Sequence, residues 1–147
     1  MWLLIWGMVA SAQDWTPDAS AQQVHRALSL RHNVLPCEEV EALTPTPVQT
    51  LRDMVEHVRA PAWVPMRAAT CLATRHGATV QADLLAWVSD EATLGLGMHL
   101  LNHLDDMDEA VANAVAERAL REGPEALEAR SRIARSSRPS TQALVAP

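Results

Sequence analysis

The sequence predicts an all-α protein. Its 147 residues are 48% hydrophobic, yet Phe and Tyr are absent and aromatic residues, all Trp, make up only 3%. A core must therefore be built from Leu, Val, Met and a large complement of Ala, a set that favours closely packed helices over sheets. Apolar residues recur at spacings of three and four, in stretches separated by Pro and Gly, as amphipathic helices divided by breaks require.

The elements follow in order. Thr16-Pro17 has the form of an N-cap followed by Pro at the first helical position, and opens a helix through Val24 and Leu28 that ends near Asn33. Pro36 interrupts, and a short helix through Val40 and Leu43 follows. Thr46-Pro47 repeats the cap-then-Pro signal ahead of a stripe of Val48, Leu51, Met54, Val55 and Val58. Pro61 and Pro65 bracket a break, and a helix from about Val64 to His76 stops at Gly77. Val80, Leu84, Trp87 and Val88 form the next stripe, which closes at Ser89-Asp90. Leu94, Leu100, Leu101 and Leu104 form another. Asp108 is placed to cap a helix through Val111, Val115, Ala119 and Leu120, and Gly123-Pro124 breaks it. Leu127, Ile133 and Ala134 mark a last helix. Residues 137–147, rich in Ser, Thr and Pro, show no periodicity and are expected to be a disordered tail.

Self-similarity runs through this pattern. Pro47-Val48-Gln49, Thr79-Val80-Gln81 and Ala110-Val111-Ala112 open comparable helices at intervals of 32 and 31 residues. Met66 to Leu72, Leu94 to Leu101 and Leu127 to Ile133 align more loosely as second helices. Three helix-turn-helix pairs are expected within 46–136, preceded by N-terminal capping helices in 13–45. Val64-Pro65-Met66-Arg67-Ala68-Ala69, followed by Leu72, resembles the second-helix pattern of HEAT-type repeats: an apolar residue, Arg, a small residue, then Leu. The resemblance covers about 90 residues. It departs from the family in its shorter units and in Gly95 and Gly97, which stand where a good helix former is expected. It implies a short α-solenoid in which each pair buries its stripe against the next. The alternative is an irregular helical bundle.

Met1 to Ala12, MWLLIWGMVASA, carries no charged side chain and ends in the small-x-small triplet Ala10-Ser11-Ala12 ahead of polar Gln13-Asp14. This has the form of a signal peptide, residues 1–12, and places the mature chain in the periplasm or outside the cell. It is too short to span a bilayer, and later apolar stretches are broken by charged residues or His, so no membrane span is expected. Cys37 and Cys71 are the only cysteines. In an oxidising compartment two cysteines in a small chain form a disulfide; the alternative is two buried free thiols. With 33 residues between them they are not a C-x-x-C redox motif.

The net charge of −6 argues against nucleic acid as a partner. The charge is uneven. Gly77–Glu117 holds eight acids and no Arg, whereas Arg118–Arg138 holds six Arg against three Glu. Solvated helix faces are one explanation, and an electrostatic contact surface is the other. Phosphate loops, dinucleotide fingerprints and nucleophile elbows are all missing from the sequence. His99 and His103, four apart, share a helix face, but the Glu of a metalloprotease motif is missing between them and a solvated pair is expected. His25, His32, His57 and His76 are scattered. Glu38-Glu39 and Asp105-Asp106 are explained by helix-terminus charge, and Trp63 and Trp87 by packing.

These readings call for no catalytic residue, cofactor or metal. They lead to an exported, non-catalytic module that presents a surface to an unknown protein partner. The alternatives are an enzyme or accessory factor whose site assembles from scattered His and acids, and a partnerless structural protein. N-terminal sequencing of the exported product should read from Gln13; an intact Met1 would overturn the leader assignment.

Overall fold

The computed structural model describes residues 14–147, so the predicted leader lies outside the described residues. These residues form nine α-helices and two 3-10 turns, with no strand. The helices are α1 (Ala19–Ser29), α2 (Cys37–Glu41), α3 (Pro47–His57), α4 (Trp63–His76), α5 (Gln81–Ser89), α6 (Leu94–Leu101), α7 (Glu109–Glu122), α8 (Ala126–Ile133) and α9 (Pro139–Ala143). Among the described residues, no helix is long and apolar enough to cross a membrane.

Most predicted boundaries hold to within a few residues, and the departures have local causes. The first helix starts at Ala19, because Asp18 rather than Thr16 is the cap: its carboxylate accepts the Ala21 N–H at 2.8 Å. That helix stops at Ser29, short of Asn33, which takes a left-handed backbone (φ 53°) that Asn tolerates. Pro65 does not lie in a break. It occupies the first turn of α4, where its missing N–H has no partner to lose.

Packing follows chain order. α3 packs on α4, α5 on α6 and α7 on α8; α4 then packs on α6, α6 on α8, and α5 on α7. α1 lies against α3 and α4. A single core results, in which Ala68, Ala69, Ala112, Ala116 and Ala119 are fully buried beside Leu51, Leu72, Leu84 and Leu100. Cys37 and Cys71 are bonded, Cα to Cα 5.4 Å, which ties α2 to α4. Closing this 34-residue separation stabilises the fold by about 3–4 kcal/mol in the chain-entropy account. The tie is reinforced by Arg75, whose guanidinium reaches Glu38 at 2.7 Å and Glu41 at 2.9 Å, and by His76, which meets Glu41 at 2.9 Å.

Gly97 is required by packing. A Cβ there would lie 2.8 Å from the Trp87 carbonyl oxygen and 3.0 Å from Val88 Cα, so its absence lets α6 rest against the end of α5.

The C-terminal tail departs most from expectation. Residues 137–147 are not structureless: they include α9, and Thr141 is fully buried, its hydroxyl donating to Asn113 Oδ1 at 2.7 Å. Arg138 holds the segment down. Its guanidinium donates to the carbonyls of Leu104 (3.0 Å), Asp105 (2.9 Å) and Met107. The Asp105 carboxylate accepts from the Ser136 hydroxyl and from the Ser137 N–H at 2.8 Å, and these donors hold its pKa below the ordinary carboxylate value. Periodicity could not reveal this anchor, because it is polar and joins residues more than thirty apart. Arg138→Ala should cost about 1.5–3 kcal/mol of stability. It should also speed amide exchange across 139–143 selectively; unchanged protection there would show that Arg138 does not hold α9.

Candidate functional site

A surface cleft of about 520 Å³ opens where the C-terminal end of α3, the start of α4, the end of α5 and the start of α6 converge. Each wall follows from the local sequence. The apolar stripe of α3 runs to its last turn and delivers Val55, and Val58 follows at the helix's C-cap. Met66 comes from the second turn of α4, Trp87 from the end of α5 and Leu96 from the first turn of α6. Trp87 is 9% exposed, a core anchor that also lines the cleft.

Gly95 contributes space. A Cβ there would meet nothing closer than Met66 Cε at 4.0 Å, so this glycine is not demanded by packing as Gly97 is. The polar lining is restrained by the helix ends. Arg59 turns its guanidinium onto the Val55, Glu56 and Val58 carbonyls at the end of α3, and the Thr93 hydroxyl donates to the Trp87 carbonyl at 2.9 Å. The cleft is therefore an apolar surface in which Arg59 and Thr93 already have partners, with the Glu56 carboxylate at its edge. Apolar surface recessed between helices is a form that binding sites take.

The sequence-predicted residues fall elsewhere. His99 and His103 do share a face, with ring centroids 4.7 Å apart, but they are not a fully solvated pair. His99 is half-buried beneath α4, its Nε2 2.8 Å from the Thr70 hydroxyl. A hydroxyl against an imidazole can be an activated nucleophile. Here the Thr70 hydroxyl also contacts the Met66 carbonyl at 2.9 Å, and a carbonyl can only accept. The hydroxyl's single proton is thus committed to Met66, and His99 Nε2–H is the donor that satisfies both contacts. The arrangement positions the ring and does not activate the hydroxyl. His103 Nδ1–H donates to Asp106 at 3.1 Å.

His25 lines a second, smaller cleft with Trp15, Pro17 and Val58. His76 pairs with Glu41, and His32 is exposed. Trp63 is a packing anchor between α1 and α4: its indole N–H donates to the Ser29 carbonyl at 3.3 Å, and Arg31 and Arg67 lie over its ring. The cleft escaped the sequence reading because its four contributing segments span more than forty residues. The one local signal was the unexplained Gly95. No protein-family model, curated protein or solved structure matches this chain.

Burial, then the nearby His103 and Arg132, push the His99 pKa below its ordinary 6.5. The unfolded chain therefore takes up this proton first as pH falls. His99 weakens the fold progressively below pH 6.5, and the effect levels off beneath its folded pKa. Replacing it by Gln removes this titration. Between about pH 7.5 and about pH 5.5 the melting temperature of His99→Gln should fall less than that of the parent; an equal or larger fall would contradict the assignment.

Proposed function

We propose that this protein is a non-catalytic, exported interaction module, a short stack of HEAT-like helical pairs that receives an apolar segment of another protein in the α3–α6 cleft. The observation that carries the reading is the cleft itself: apolar side chains from four helices meet around a notch left by a glycine that packing does not require.

The stacked-pair reading draws support from the order of contacts. Three successive pairs touch within themselves, and the second helices α4, α6 and α8 touch in sequence. In such a stack each unit contacts its neighbours, so long-range partners fall about one repeat apart. The polar contacts follow this spacing. Arg52 meets Asp83 at a separation of 31 residues, Thr70 meets His99 at 29, Arg132 meets the Met98 carbonyl at 34, and Arg138 meets the Leu104 carbonyl at 34. On this reading α1 and α2 cap the first pair and α9 covers the last. The Cys37–Cys71 bond is compatible with an oxidising compartment, in accord with the leader-like first twelve residues.

The test fills the notch. Gly95→Leu places a side chain in the cleft, where its Cβ meets nothing closer than Met66 Cε at 4.0 Å, and removes a glycine from the first turn of α6. It should leave stability unchanged or raise it by about 0.5–1 kcal/mol. A photo-crosslinker at position 96 should give a discrete adduct in the compartment where the protein resides, and the adduct should vanish when Gly95→Leu is added. A crosslinker at Leu127, 85% exposed on the far side of the chain order, is the control. Identical adducts with and without Gly95→Leu would sink the assignment of this cleft.

A further inference from the structure

We propose that the last turn of α3 carries a divalent transition-metal site of the zinc class, formed by Asp53, Glu56 and His57. The spacing i, i+3, i+4 puts the three side chains on one side of the helix. One ligand atom from each, two carboxylate oxygens and an imidazole nitrogen, lies within 4.8 Å of the others. A zinc ion holds its N and O ligands at about 2.0–2.2 Å, so donors sit roughly 3.3–3.5 Å apart around it. The three groups need close by only an ångström or so, within the reach of surface side chains.

Two of the three are already oriented by groups outside the triad. Gln49 donates to Asp53 Oδ1 at 2.9 Å and leaves the second oxygen free to ligate. The indole of Trp15, arriving from the segment before α1, stacks on the His57 ring with centroids 5.2 Å apart and planes 13° from parallel. His57 Nε2 then faces the carboxylates, 3.9 Å from Glu56 Oε2. Fixing a ligand ring and a ligand carboxylate from behind is what outer-shell partners do at metal sites.

The two carboxylates of the triad also lack an arginine partner: among the described residues, no Arg lies within ion-pair distance of Asp53 or Glu56, although Arg neighbours both. Arg52 is turned to Asp83 at 2.8 Å on the next pair, and Arg59 is spent on carbonyls at the end of α3. From α1, His25 and Arg26 face Trp15 across the smaller cleft. The two carboxylates thus stand without an arginine beside the His57 imidazole, a charge that a divalent cation would neutralise. A nitrogen with two carboxylates suits zinc and its first-row neighbours; calcium, which takes six to eight oxygens, would gain little from His57. Three protein ligands leave a fourth position open to water or to a donor from outside. Glu56 also lines the larger cleft, so the cation would sit at its rim.

Calorimetric titration of the full chain, without a histidine tag and in a non-chelating buffer, should show saturable binding of one equivalent of Zn²⁺. Asp53→Asn, Glu56→Gln and His57→Gln should each weaken binding at least about tenfold, while keeping the parent's helical spectrum. His103→Gln should leave the affinity unchanged. Zn²⁺ should also alter the Trp fluorescence, and Trp15→Phe should abolish that change while the binding heat persists. Three results would each overturn the site: absence of saturable heat, equal affinity in the three triad variants, or loss of affinity in His103→Gln. Ca²⁺ binding that equals Zn²⁺ and survives His57→Gln would reduce the triad to an acidic patch.

Discussion

Close approach of helix backbones is the constraint from which the rest of the structure follows. Without Phe or Tyr there are few large side chains to fill space between helices held apart, and a native interior tolerates few voids. The helices must come together, and alanine lets them. α4 buries Ala68, Ala69 and Ala73, and α7 buries Ala112, Ala116 and Ala119, all at 1% exposure or less. These two are the longest helices, at 14 residues each, and the others pack around them. The same demand explains Gly97, where even a methyl group would keep α6 off α5.

Short helices carry a second requirement. Each leaves four carbonyls without an intrahelical partner at its C-terminal end, and in helices of five to fourteen residues those ends are a large share of the backbone. Arginine supplies many of the missing donors, from a distant part of the chain. Arg67 donates to the Leu28 carbonyl at 2.7 Å and to that of Leu30, Arg132 to that of Met98, and Arg138 to those of Leu104, Asp105 and Met107. The uneven charge of the sequence acquires a physical meaning here. Two of the six arginines in the basic C-terminal stretch, Arg132 and Arg138, are spent on carbonyls within the acidic middle of the same molecule, and Asp105 there accepts from their neighbours Ser136 and Ser137. Neither solvation nor an outside partner is needed to account for Arg132 and Arg138.

The two candidate sites arise at the places these requirements leave unfilled. The cleft lies where four helix ends meet and Gly95 adds no side chain. The carboxylate–imidazole triad lies on the last turn of α3, whose neighbouring arginines are engaged elsewhere. In the sequence the spacing of His99 and His103 is conspicuous. His57 stands among scattered histidines, although Asp53 and Glu56 precede it by four and one residues. That spacing was the available signal; the orienting Trp15 belongs to a segment some forty residues earlier and could not be connected to it.

What the sequence by itself determined is local. Apolar spacing of three and four, the cap-then-Pro signals and the Gly and Pro breaks define helices and most of their limits, because helix formation is governed by residues within a turn or two. The pairing of Cys37 with Cys71 was legible for a different reason: with two cysteines there is one possible intramolecular bond. Tertiary structure alone decided which polar groups meet, that residues 139–143 are helical and anchored, that Thr70 rather than solvent receives His99, and where the cleft opens. Those outcomes depend on how closely α4, α6 and α8 stack and on where helix ends fall relative to one another. Such distances are set by packing across about thirty residues of chain, and no periodicity within a single helix encodes them.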